Sequence, residues 1–204
     1  MLPTTKSQLP TRMTWIKICG LSTREAVSAA VEAGADAVGF VFADSKRRVT
    51  PEHAAKISQQ VLDGVLKIAV LHHPTQSLVD EVCSVFQPDV LQTDAADLDT
   101  LQIPSGMRVL PVWRDGQSPS VLPTRMLYEG KVSGTGVTAN WRAAHALALK
   151  TEVVLAGGLN ASNIAEALSK VRPFGVDVSS GVESAPGVKD PRKIEEFIRA
   201  VRKQ

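Results

Sequence analysis

Short apolar runs alternate with stretches of helical periodicity along nearly the whole chain. The runs at residues 15–18, 36–42, 65–71, 89–92, 108–113, 126–129, 153–156 and 176–179 are close to continuously hydrophobic. That is the pattern of strands covered on both faces. Residues 26–33, 75–86, 96–101, 139–149, 162–169 and 191–201 read as amphipathic helices, and Pro51 opens another at its first turn, a favoured place for proline. Residues 114–124 carry two prolines and a glycine and predict a poor helix. Strand followed by helix, eight times over, predicts a parallel sheet closed into a (β/α)8 TIM barrel, one domain over residues 14–204. The chain of 204 residues is short for that fold, so its loops must be short. An open doubly wound sheet is the alternative, weakened because no dinucleotide glycine fingerprint follows the first strand.

Residues 1–13 hold Pro3, Pro10 and several Thr and Ser. They predict a disordered lead-in without the apolar centre of a signal peptide, and Met13 is a candidate start. Charge narrows the partners. Twenty-three basic against 21 acidic side chains leave a net charge of +2, which gives no electrostatic case for nucleic acid or a membrane surface. No apolar run is long enough to span a bilayer. Two cysteines without close pairing point to a reducing compartment, hence a cytoplasmic protein.

In a parallel barrel, chemistry collects at the carboxyl ends of the strands. Cys19 closes the first strand, Gly20 follows, and a helix then opens with Ser22 as expected N-cap and Glu25 completing a capping box. A cysteine is often a small buried hydrophobe, but a helix N-terminus favours a thiolate. Cys83 lies on the apolar side of its helix and reads as core packing. The loop Asp44-Ser45-Lys46-Arg47-Arg48 is either a solvated basic loop or an anion clamp. Gln92-Thr93-Asp94 follow strand four. Glu129 ends strand six, with Ser133-Gly134-Thr135-Gly136 as a lid candidate. Ala156-Gly157-Gly158-Leu159-Asn160 and Asp177-Val178-Ser179-Ser180-Gly181-Val182-Glu183 end strands seven and eight in small residues. Such turns leave backbone N–H groups open to an anion, and the loops after strands seven and eight recurrently hold phosphate.

Lys17-Ile18-Cys19-Gly20, Gly34-Ala35-Asp36-Ala37-Val38-Gly39-Phe40-Val41-Phe42, Ser45-Lys46-Arg47, Gly134-Thr135-Gly136, Gly157-Gly158-Leu159-Asn160 and Val176-Asp177-Val178-Ser179-Ser180-Gly181-Val182-Glu183 together resemble the phosphoribosylanthranilate isomerase family of tryptophan biosynthesis, from about residue 15 to the end. The resemblance implies a (β/α)8 barrel with no metal or organic cofactor, acting on a small phosphosugar. The reaction it implies is an Amadori rearrangement, converting N-(5-phosphoribosyl)anthranilate to 1-(2-carboxyphenylamino)-1-deoxyribulose 5-phosphate. By the same resemblance Cys19 is the general base and the acid at the end of strand six is Glu129. Arg47 holds the anthranilate carboxylate and Asp177 contacts substrate. Gly157, Gly158, Ser179, Ser180 and Gly181 hold the phosphate. A monomer is expected in preference to a homodimer. Three stretches depart from the family pattern. Glu129 stands where aspartate is usual, Gln92-Thr93-Asp94-Ala95 replaces Gln-Leu-His-Gly, and Lys131-Val132-Ser133 lacks a further glycine. The rivals are a histidine-pathway or bifunctional sugar isomerase, whose strand-one residue is an aspartate, and a phosphosugar-binding barrel without catalysis. Asp115 would matter to a second activity, and Asp94 and Asp115 are the alternative acids.

Overall fold

A computed structural model describes residues 13–117, 119–131 and 138–204. Eight parallel strands close into a barrel in sequence order. They are β1 (Trp15–Cys19), β2 (Ala37–Val41), β3 (Leu66–Val70), β4 (Val90–Asp94), β5 (Arg108–Arg114), β6 (Arg125–Glu129), β7 (Glu152–Leu155) and β8 (Gly175–Val178). The barrel closes where Lys17 of β1 sits in register with Asp177 of β8.

Alternation along each strand sorts side chains into two cores. Ile16, Ile18, Val38, Phe40, Leu91, Met126, Tyr128, Val153, Leu155, Val176 and Val178 pack outward against the helices. Ala37, Ile68, Val90, Leu110, Val112, Leu127, Val154 and Ala156 fill the barrel interior. The parity that sends Ile16 and Ile18 outward turns Lys17 and Cys19 inward, and likewise Asp94, Arg114, Glu129 and Asp177 on their strands.

The outer layer comprises α1 (Arg24–Glu32), α2 (Pro51–Ile57), α3 (Gln76–Glu81), α4 (Trp141–Ala148), α5 (Ile164–Val171) and α6 (Pro191–Arg202). Several local expectations are corrected. The N-cap of α1 is Thr23, whose Oγ1 accepts from the Ala26 N–H at 3.3 Å, so no Ser22–Glu25 capping box forms. The helix expected at 75–86 is α3 followed by a π-helical turn, Val82–Phe86, closed by Gln87 in the left-handed region. The helix expected near 96–101 is a 3-10 stretch, Ala95–Asp99. Its Asp97 is drawn to His73 and Thr93, which keeps this connection tight. No helix forms among the described residues of 114–124, as the prolines predict. After β8 the chain adds an unpredicted antiparallel pair, β9 (Glu183–Ala185) and β10 (Val188–Lys189). Cys83 is half-buried and packs against the outer core, as expected. Of the expected lead-in only Met13 lies within the described residues, and Gly134-Thr135-Gly136 lies outside them.

Candidate active site

A cavity of about 410 Å³ opens at the carboxyl ends of the strands. Cys19, Arg47, Glu129, Gly157, Gly158, Asp177, Ser179 and Ser180 all line it, so the topology gathers eight of the nine expected residues from five strand ends and the loops that follow them. The ninth, Gly181, supports the wall. A Cβ there would lie 1.9 Å from the Leu159 carbonyl oxygen, so only glycine lets the loops after β7 and β8 touch.

Cys19 is buried beside Lys17. Both side chains occupy the space above Gly39, where a Cβ would meet the Lys17 Nζ and the Cys19 Sγ, each at 3.2 Å. Lys17 is fully buried and its Nζ donates to Asp177 Oδ1 at 3.1 Å. Burial works to lower the Lys17 pKa, but Asp177 and Cys19 outweigh it and the net direction is up. The ammonium therefore persists inside the barrel. Burial pushes the Cys19 thiol up, Lys17 pulls it down through charge and a hydrogen bond, Asp177 pushes it up, and Lys189 pulls it down. The net direction is up, while Lys17 and Lys189 are the cations placed to favour a thiolate.

Arg47 crosses Gly20, whose absent Cβ would fall 2.6 Å from the Arg47 Cδ. Its Nε and Nη2 donate to the two oxygens of Glu183 at 2.6 and 3.0 Å. Lys189 Nζ donates to Glu183 Oε1 at 2.7 Å and to the Ser179 carbonyl at 2.9 Å. Burial of Glu183 would raise its pKa, yet Arg47 and Lys189 hold it down at about 2. The β9–β10 pair thus anchors the guanidinium at the cavity rim and sets an ammonium against the turn after β8.

Gly157 and Gly158 both have positive φ, 90° and 63°, a geometry few other residues accept. Asn163 Nδ2 donates to the Gly158 carbonyl at 2.8 Å, and Asn160 Oδ1 accepts from the N–H groups of Ser162 and Asn163. These bonds stiffen the turn after β7. Across the cavity, Arg114 donates from Nη1 to Asp94 Oδ2 at 2.5 Å and pairs through Nη2 with Glu129 Oε1 at 3.1 Å. Asp115 does not line the cavity. Its carboxylate accepts from the Tyr128 hydroxyl at 2.5 Å and from the Asn140 N–H, tying β6 to the start of α4.

The family model for N-(5'-phosphoribosyl)anthranilate (PRA) isomerase matches residues 16–200. The chain belongs to the phosphoribosylanthranilate isomerase family. Among its relatives, the N-(5'-phosphoribosyl)anthranilate isomerase of Mesorhizobium japonicum is 39% identical over 207 residues, covering 92% of this chain and 94% of the relative. That of Pelobacter propionicus is 40% identical over 198 residues, covering 90% and 93%. The phosphoribosylanthranilate isomerase structure from Thermotoga maritima is 30% identical with a TM-score of 0.81, over 94% of this chain and all of that one. A family structure in complex with reduced 1-(o-carboxyphenylamino)-1-deoxyribulose 5-phosphate has a TM-score of 0.78 at 29% identity, again over 94% and 100%.

Within this phosphoribosylanthranilate isomerase fold, sequence reading left out Lys17, Arg114 and Lys189 and gave Glu183 no role. Strand parity was a usable signal for Lys17, which shares the face of Cys19, whereas Arg114 meets Glu129 only through the register of β5 and β6. Nothing local marked Lys189, whose part depends on a hairpin formed by charged contacts.

Proposed function

We infer that this barrel is the isomerase that converts N-(5-phosphoribosyl)anthranilate into the 1-deoxyribulose aminoketose of tryptophan biosynthesis. The observation that carries the mechanism is the placement of a buried thiol and a carboxylate in one cavity, on β1 and β6, with the small-residue turns of β7 and β8 between them. The substrate's phosphate sits at Gly157, Gly158, Ser179 and Ser180, with Lys189 behind Ser179 adding positive charge. Anchored there, the ribose lies between its acid and its base. Glu129 protonates the ring oxygen and the ring opens to a Schiff base. Cys19, as thiolate, takes the C2′ proton to give an enolamine, which tautomerises to the ketone. Lys17 stabilises the thiolate, and Asp177 holds Lys17 and contacts substrate. Two of the five N–H groups of Arg47 hold Glu183, and the remainder of its fork takes the anthranilate carboxylate.

Arg114 shares its charge between Asp94 and Glu129, so its grip on the acid is divided. Among the described residues no helix is long and apolar enough to cross a membrane. Turnover of phosphoribosylanthranilate by the purified protein, run beside the histidine-pathway aminoaldose, tests the reading. Conversion of the first alone is the expected result; conversion of neither overturns it.

A further inference from the structure

We propose that His72, His73 and Asp94 form a binding site for a divalent transition ion of the zinc class at the mouth of the barrel. The candidate ligand atoms all lie within 4.8 Å of one another. The Nε2 atoms of His72 and His73 are 3.7 and 3.6 Å from Asp94 Oδ2. Metal–ligand bonds of about 2.0–2.1 Å at a tetrahedral angle place ligand atoms about 3.3–3.4 Å apart, so both His–Asp pairs need close only by a few tenths of an ångström. Two imidazoles and a carboxylate suit zinc and its neighbours rather than calcium or magnesium, and solvent supplies the fourth position.

The support behind these ligands is what separates the cluster from a chance surface pair. His73 Nδ1 is 2.7 Å from Asp97 Oδ1, and Asp97 is itself held by the His73 N–H at 3.0 Å and by the Thr93 hydroxyl at 2.5 Å. That contact places the imidazole proton on Nδ1 and leaves the Nε2 lone pair facing Asp94, the carboxylate–histidine arrangement that orients metal-bound imidazoles. Asp94 is buried, 8% exposed, and its Oδ1 has no hydrogen-bond partner. The two imidazoles are exposed, which leaves a path for the ion. Asp94 is also the carboxylate that Arg114 shares with Glu129. An ion on Asp94 competes with Arg114 and shifts that guanidinium toward Glu129. Occupancy therefore lowers turnover without touching Cys19.

The test uses the full-length protein without an added histidine tag, with Co²⁺ followed by its visible absorption and Zn²⁺ by equilibrium dialysis. One ion per chain is expected. The double variant His72→Ala/His73→Ala should lose it while keeping the parent's far-UV circular dichroism, with a lower melting temperature from the lost His73–Asp97 contact. Asp97→Asn should weaken binding about 10–100-fold. Cys19→Ser should bind as the parent does, which distinguishes the cluster from thiolate capture. Binding that persists in the double variant, or no saturable binding by the parent, overturns the site. The turnover arm rests on the isomerase reading, whereas the binding arms do not. Zn²⁺ should inhibit the parent reversibly and leave the double variant untouched; inhibition of both to the same degree overturns the link through Arg114.

Discussion

Lys17 is a charge that the barrel cannot release to water. It is fully buried, and its carboxylate partner, Asp177, is 160 residues away in sequence. Lys17→Met removes the ammonium and leaves that carboxylate buried and uncompensated. A loss of about 3–5 kcal/mol in stability by denaturant titration is expected, as for other broken buried pairs. Turnover should fall as well, because the cation nearest Cys19 is gone. The alternation Ile16, Lys17, Ile18, Cys19 already put Lys17 on the face of the cysteine. Its partner was not legible, since no local pattern reports a contact across the closure of a barrel. Glu129 is the complementary case. Its assignment as the acid came from the family resemblance, but the guanidinium that holds it comes from β5 and required the structure. Glu129→Gln keeps the shape and removes the proton, and should lower kcat by about 10²–10⁴. Glu129→Asp withdraws the carboxyl by about 1.5 Å, and an intermediate rate is expected in steady-state assays. Wild-type activity in the Gln variant would move the acid to Asp94.

Strands were legible to within two or three residues because burial on both faces writes a continuous apolar run. Helix starts were less so, since Ser22 and Thr23 both offer a capping oxygen and only the backbone path chooses between them. The β9–β10 pair was invisible to periodicity. Its three- and two-residue strands are held through Glu183, Lys189 and Arg47 rather than by an apolar face. The turns after β7 and β8 were legible as a pair, but their mutual contact was not. Gly181→Ala sets a methyl group 1.9 Å from the Leu159 carbonyl, which forces the two turns apart. A destabilisation of about 1–3 kcal/mol is expected, together with weaker binding of inorganic phosphate by calorimetry. Unchanged phosphate affinity would show that the contact between the turns does not shape the anion site.

At the scale of the molecule, the charges nearly cancel overall, while Arg47 and Arg114 line the cavity and Lys17 and Lys189 lie buried behind it, each paired with a carboxylate. This pairing makes stability depend on acid. Glu183 is held at about 2 in the fold against 4.5 as its ordinary value. A depressed carboxyl contributes fully above the unfolded value and loses that contribution as pH falls through the folded one. Melting temperature should therefore drop between about pH 4.5 and pH 2, and Glu183→Gln, already deprived of the charge, should drop less across that window. A parallel decline in both proteins would remove Glu183 as the acid-sensitive group. The base proposed for the reaction is a strand-end thiol, at the closed seam of β1 and β8. The most direct measurement is the kcat of Cys19→Ser on phosphoribosylanthranilate at constant melting temperature. A fall of about 10²–10⁴ is expected; a kcat near that of the parent would rule Cys19 out as the base.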